Sequence, residues 1–194
     1  MKQIQHGQVT RVADQFEAVD LRAPFKVFLN RSVKVTIDKT TGKQLSYQIP
    51  DVDGLVQAIV ISRVLHPRRL NGGELKFLRK AVEMQQKELA ENMELSVEYL
   101  SRCENNMHVM SPQTEKLMRV YFLKTAVKLH KMNSCEAKTR LDEWLDKLFD
   151  DHKPISVFDP DDALEFHFYH GKKASKNKGP AAKADDPGQW DEAA

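Results

Sequence analysis

The stretch that decides the fold is Gln86-Lys87-Glu88-Leu89-Ala90-Glu91-Asn92-Met93-Glu94-Leu95-Ser96-Val97-Glu98-Tyr99-Leu100-Ser101-Arg102-Cys103-Glu104-Asn105. Its apolar residues Leu89, Met93, Leu95, Leu100 and Cys103 form one shared core when two short helices are joined by a tight turn. The first helix is expected from Gln86 to Met93 and the second from Ser96 to Glu104. Ser96 is a good N-cap for the second. Ala90 is small, as a close crossing of the two helices requires.

Working upstream, Leu75, Leu78 and Val82 stand at helical spacing, and Asn71-Gly72-Gly73 breaks the chain before them. This predicts a helix over 74–83. Asp51 is an N-cap for another helix that runs to about Leu65 and ends at His66-Pro67, because proline disfavours a helical residue before it. Val33, Val35 and Ile37 alternate with Lys34, Thr36 and Asp38, the period of a half-buried strand. Lys39-Thr40-Thr41-Gly42 turns that strand into a second one, Leu45 to Ile49. A lone hairpin is marginal and has to pack on other structure. Residues 1–23 carry no clear pattern.

Downstream, Ser111-Pro112 opens a longer helix to about Met132, with serine at the N-cap and proline just inside. Leu141, Trp144, Leu145, Leu148 and Phe149 form the apolar stripe of a further, amphipathic helix. Leu164 to Tyr169 reads as a short strand. From Gly171 onward Lys, Ala, Gly, Pro and Asp dominate, the composition of a disordered tail. The expectation is a mainly α chain. It has a small β-containing region over 1–50, a helical domain over 51–132, a helix and short strand over 133–170 and a disordered tail over 171–194.

The net charge of the 194 residues is only +2, so any attraction to nucleic acid has to come from local charge. The run from Ser62 to Lys80 supplies it, with Arg63, Arg68, Arg69, Lys76, Arg79 and Lys80 against Glu74 alone. Cys103 and Cys135 are far apart, which excludes a disulfide framework or a cysteine-based zinc site. No apolar run approaches the ~20 residues of a membrane span, and Met1 to Thr10 lacks the apolar core of a signal peptide. A cytoplasmic location without membrane contact is expected. No Gly-rich phosphate loop, nucleophile elbow or Cys-His pair points to an enzyme. His167-x-x-His170, near Asp159, Asp161 and Asp162, suggests a metal, but strand alternation sends the two imidazoles to opposite faces. No metal or cofactor is expected.

Two short helices with a tight turn form a helix-turn-helix, whose second helix can enter the major groove of DNA. Residues 74–125 resemble the Cro/repressor (XRE) class of this motif. The likeness rests on Gln86-Lys87-Glu88-Leu89-Ala90, Leu95-Ser96 and Leu100-Ser101-Arg102-Cys103-Glu104-Asn105. A weaker likeness joins Ile49-Pro50-Asp51, Leu55, Pro67, Leu70 and Phe77-Leu78-Arg79-Lys80-Ala81 to regulators and antitoxins of the MqsA/YgiT type, which carry an N-terminal zinc ribbon. The ribbon's knuckle aligns with Asp38-Lys39-Thr40-Thr41-Gly42. The glycine is kept and both thiols are missing, so the hairpin reads as a metal-free form of that shape.

The resemblance implies a sequence-specific regulator, in the first place a repressor, that binds double-stranded DNA as a homodimer across two half-sites. The alternatives are an antitoxin with a toxin partner, or a protein-interaction module that kept the fold without binding DNA. The helix from Pro112 and the one around Trp144 are the expected dimer interface. Gln86 would grip a phosphate, and Ser96 could add a phosphate donor. Val97, Glu98 and Arg102 match base-reading positions. Arg102 suits guanine, and Val97 suits a thymine methyl or is a passive surface residue. Glu98 either accepts from cytosine or orients Arg102 one turn on. Tyr99, Ser101 and Asn105 are candidate backbone contacts, while Asn106 suits a left-handed C-cap. Lys76 and Lys80 would add unspecific attraction. Arg79 and Glu104 are implied to form a structural, partly buried ion pair. Glu94 sits where the class usually has glycine, because φ is positive there. With Arg102 the one strong donor, much of the affinity is expected from phosphate contacts.

Overall fold

The computed structural model describes residues 7–129, 141–146, 163–169 and 189–192. The chain divides into two compact units. One comprises Met1–Leu21, Lys26–Leu55 and Ala163–Ala194, and the other Arg22–Phe25 and Val56–Asp162.

The first unit holds seven strands among the described residues: β1 (Gln8–Val12), β2 (Gln15–Glu17), β3 (Lys26–Asn30), β4 (Lys34–Asp38), β5 (Gln44–Gln48), β6 (Ala163–Tyr169) and β7 (Gln189–Glu192). The expected hairpin is β4–β5. Its turn closes because Asp38 accepts from the Thr40 amide at 2.8 Å through its carboxylate and from the Gly42 amide at 2.8 Å through its carbonyl. Gly42 takes the left-handed φ of +68° that such a turn requires. The Thr40 amide holds the Asp38 carboxyl below its ordinary range. β1 pairs with the other side of β4, placing Val9 opposite Ile37, and the hairpin becomes a three-stranded sheet.

A second sheet has the order β2-β3-β6-β7. β6 lies parallel to β3, with Leu29 opposite Phe166, and both side chains are fully buried. β7 adds Trp190, whose indole N–H donates to the Asp51 carbonyl at 2.9 Å. These sheets overturn the mainly α expectation: the chain is an α/β mix. The physical reason lies in where the partners come from. β1 is exposed along its whole length, so its β-branched Val9, Thr10 and Val12 have no buried face whose alternation would mark a strand. β7 lies in the stretch whose composition suggested disorder, and it is recruited by pairing with β6.

The helices are α1 (Val52–Leu65), α2 (Gly72–Ala81), α3 (Gln86–Asn92), α4 (Val97–Glu104), α5 (Pro112–Leu129) and α6 (residues 141–146). The boundary between the units falls inside α1. Asn71 caps α2 in a reciprocal box with Glu74, and Ser111 caps α5 by accepting from the Thr114 amide at 3.1 Å. Leu78, Leu89, Ala90, Leu100, Met118 and Phe122 are buried in one cluster, against which Leu141, Trp144 and Leu145 pack. Leu141, Trp144 and Leu145 of the expected apolar stripe therefore pack, partly buried, on the core of their own unit. Leu148 and Phe149 lie outside the described residues. No described helix is long and apolar enough to cross a membrane.

The basic run is also corrected. Arg63 lies 1% exposed and forks onto both Glu74 oxygens at 2.9 and 2.8 Å. Arg68 reaches the same carboxylate at 3.3 Å. Arg69 and Arg119 share Glu115 at 3.0 and 2.8 Å, and Arg119 also donates to the Val64 and His66 carbonyls. Most of the expected positive surface is thus a buried network that ties the connection after α1 to α2 and α5. Lys76 and Lys80 stay exposed.

Candidate nucleic-acid interface

α3 and α4 are joined by Met93–Ser96. Glu94 takes φ of +53°, the left-handed geometry expected of this turn, and the Leu95 amide reaches back to the Ala90 carbonyl at 2.9 Å. That reversal lets Ala90, Leu89 and Leu100 meet in the core. Ser96 caps α4, its Oγ accepting from the Tyr99 amide at 3.1 Å. Leu100 and Cys103 face inward, and Val97, Glu98 and Arg102 face solvent on the opposite side.

α2 holds the far end of α4. Arg79 forks onto Glu104 at 2.6 and 3.0 Å and donates to the Met84 carbonyl at 2.8 Å, so the implied ion pair is present and nearly buried. Gln86 joins it: its amide nitrogen donates to Glu104 at 3.0 Å. The side chain assigned to a phosphate is therefore engaged in the scaffold. Asn106 takes φ of +57°, as a left-handed C-cap would, and accepts from the Gly72 amide at 2.7 Å. A β-carbon on Gly72 would stand 2.3 Å from the Cys103 carbonyl oxygen. The start of α2 thus rests directly on the end of α4, an approach that glycine alone permits.

The remaining candidates separate into two groups. Asn105 turns its amide onto the Ser101 carbonyl at 2.8 Å, and Ser101 is half-buried. Tyr99 is half-buried against the core and meets the His108 ring edge-on at 5.1 Å. Burial pushes both the Tyr99 phenol and the neighbouring Cys103 thiol up, so neither ionises readily. Val97, Glu98 and Arg102 form the outward group. Glu98 and Arg102 stand one turn apart, yet no ion pair joins them, and neither side chain has a partner among the described residues. The orienting role for Glu98 is not realised.

The surface around this face is acidic. Glu83, Glu88, Glu91, Glu94 and Glu98 are exposed across α3, α4 and their flanking turns, against Lys87 and Arg102. Lys87 stands 3.8 Å from Glu91 in full exposure, a contact worth little. Sequence reasoning missed both this imbalance and the part Gln86 plays. The one signal for the arginine network was Asn71-x-x-Glu74, the spacing of a capping box.

Among the described residues no three His, Cys, Asp or Glu side chains stand close enough to hold a metal ion. His167 lies in β6 with Nδ1 3.1 Å from the Asn30 carbonyl, while His170, Asp159, Asp161 and Asp162 lie outside the described residues. Comparison with protein-family models, curated proteins and solved structures finds no match.

Proposed function

We propose that the chain is a sequence-specific double-stranded DNA-binding regulator that lays α4 in the major groove. One observation carries the reading. α4 is braced at both ends, by the Glu94 turn and by the Arg79–Glu104–Gln86 cluster, while Val97, Glu98 and Arg102 face outward without partners among the described residues. A short, rigidly held helix with unspent polar groups suits base-edge readout. The phosphate term is smaller than the sequence implied, because Arg63, Arg68 and Arg79 are committed to buried pairs. Log affinity should therefore fall only shallowly with log salt. A second copy of the chain would supply the other half-site.

Fluorescence anisotropy on duplexes enriched from a genomic fragment pool tests this. The expected result is specific binding that Arg102→Ala weakens by about 5- to 150-fold, the range for losing one bidentate base contact. No binding by the folded protein at any salt concentration would remove the reading. The acidity of the surface favours a second reading, a protein-interaction module for a basic partner, and that reading gains if only the partner binds.

A further inference from the structure

We propose that the Asn71-Gly72 peptide is a spontaneous deamidation site that the packing of α2 on α4 keeps shut, and that its conversion permanently releases the brace on α4. This chemistry needs only the α2–α4 contact, whatever α4 binds. Asn71-Gly72 is the one Asn-Gly pair in the sequence, and every other asparagine precedes a residue with a side chain. A glycine leaves its own nitrogen unshielded and its backbone free to bring that nitrogen onto the side chain before it. The Gly72 nitrogen then attacks Cγ of Asn71. A bond forms between them, the bond from Cγ to Nδ2 breaks, and ammonia leaves with the proton that the Gly72 nitrogen gives up. Water opens the resulting succinimide ring at either carbonyl, leaving an aspartyl or an isoaspartyl residue. The exchange consumes water and releases ammonia, with no oxidant, reductant or enzyme.

In the folded chain the reacting atoms are held apart. The Gly72 N–H donates to the Asn106 Oδ1 at 2.7 Å, so the proton that the reaction has to remove is held by the end of α4. The Asn71 side chain is fixed as well: its Oδ1 accepts from the Glu74 amide at 2.9 Å, while its own N–H donates to the Glu74 carboxylate at 2.7 Å. That box keeps Asn71 extended, with φ −84° and ψ 170°. Gly72 is buried, and even a β-carbon on it would stand 2.3 Å from the Cys103 carbonyl oxygen and 2.7 Å from that of Glu104, so the peptide has no room to turn. Conversion therefore waits for α2 to lift from α4. The isoaspartyl product makes that lift permanent. Its chain runs through the β-carbon, which adds a methylene before Gly72, and the longer link cannot keep both the cap on Glu74 and the close fit against Cys103. The aspartyl product keeps a capping oxygen and is the milder of the two.

The test incubates the full-length protein at neutral pH, folded and in urea, and follows residue 71 by mass spectrometry of the tryptic peptide Leu70 to Lys76. The unfolded chain is expected to convert, largely to the isoaspartyl form. The folded protein should convert at least about 10-fold more slowly, a ratio that needs an opening cost of only ~1.4 kcal/mol. Asn106→Ala, shown by circular dichroism to be folded, should convert about 2- to 10-fold faster than wild type, the effect of losing one hydrogen bond. Asn106→Asp keeps an acceptor for the Gly72 N–H and should restore the slow rate. In the isoaspartyl protein the α4 amides should exchange faster than those of α5. Asn71→Ser keeps a cap and has no amide to lose, so the same incubation should leave its exchange unchanged. Equal rates in the folded and unfolded chain, or a rate unmoved by Asn106→Ala, would overturn the latch. Unchanged α4 exchange in the isoaspartyl protein would overturn its consequence, and no conversion even in urea would overturn the site itself.

Discussion

Glu94 holds the turn before α4 in a left-handed conformation that a β-carbon disfavours by about 1–2 kcal/mol. Glu94→Gly removes that strain but frees the unfolded chain by about 0.4–1 kcal/mol. The variant should therefore be more stable by up to about 1.6 kcal/mol in urea denaturation, and a loss of stability would contradict the strain. Glu115 sets a pH dependence. Burial pushes its carboxyl up, but the Leu70 amide and the Arg119 and Arg69 guanidinium groups outweigh burial and hold it below its ordinary value. A carboxyl lowered in the folded state stabilises fully above its unfolded pKa, near 4.5, and that contribution is lost as the pH falls through the lowered folded value. The urea midpoint should thus drop steeply below about pH 4.5, and the same titration on Glu115→Gln should give a shallower drop from a lower starting point. The sequence told the fate of these charges unevenly. Arg79 and Glu104 were legible through resemblance. Arg63 and Arg69 look like surface charge in the sequence, because their burial depends on carboxylates 11 and 46 positions away.

Elements form here according to how local their causes are. α2, α4 and α5 carry their caps in the sequence, at Asn71, Ser96 and Ser111, and their starts were legible for that reason. Ser96→Ala should cost about 1 kcal/mol, read as a lower thermal midpoint, since it removes the acceptor for the Tyr99 amide. β1 and β7 have no local cause and exist only through pairing with β4 and β6. The candidate site divides the same way. The α3–turn–α4 frame was readable from apolar spacing, whereas the packing of α2 on α4 was not. Gly72→Ala tests that packing. A methyl group facing the Cys103 carbonyl forces the two helices apart and should cost about 1–3 kcal/mol, with α4 amides exchanging faster than those of α5. Equal exchange in the two helices would mean that α2 does not brace α4.

At the scale of the whole molecule, the middle of the chain builds the helical unit and the two ends build the sheets. Removing residues 163–194 should leave α2 to α5 protected in amide exchange while the β3 amides lose protection, because β6 fills the place beside β3 where Phe166 is buried. Retained β3 protection in the shortened chain would contradict the pairing. The parallel pairing of β3 with β6 also sets an order of events. On a ribosome the partner of β3 follows it only after more than 130 residues have been made, as the Asn30–His167 separation of 137 positions records. Local contacts let the helical unit close quickly, while a pairing this distant has to wait and carries a large loop-closure cost. The β3–β6 pairing is therefore expected to form after the helical unit has closed. During that interval the side of β3 awaiting β6 is an open strand edge, the kind of surface on which a nascent chain aggregates or finds a chaperone.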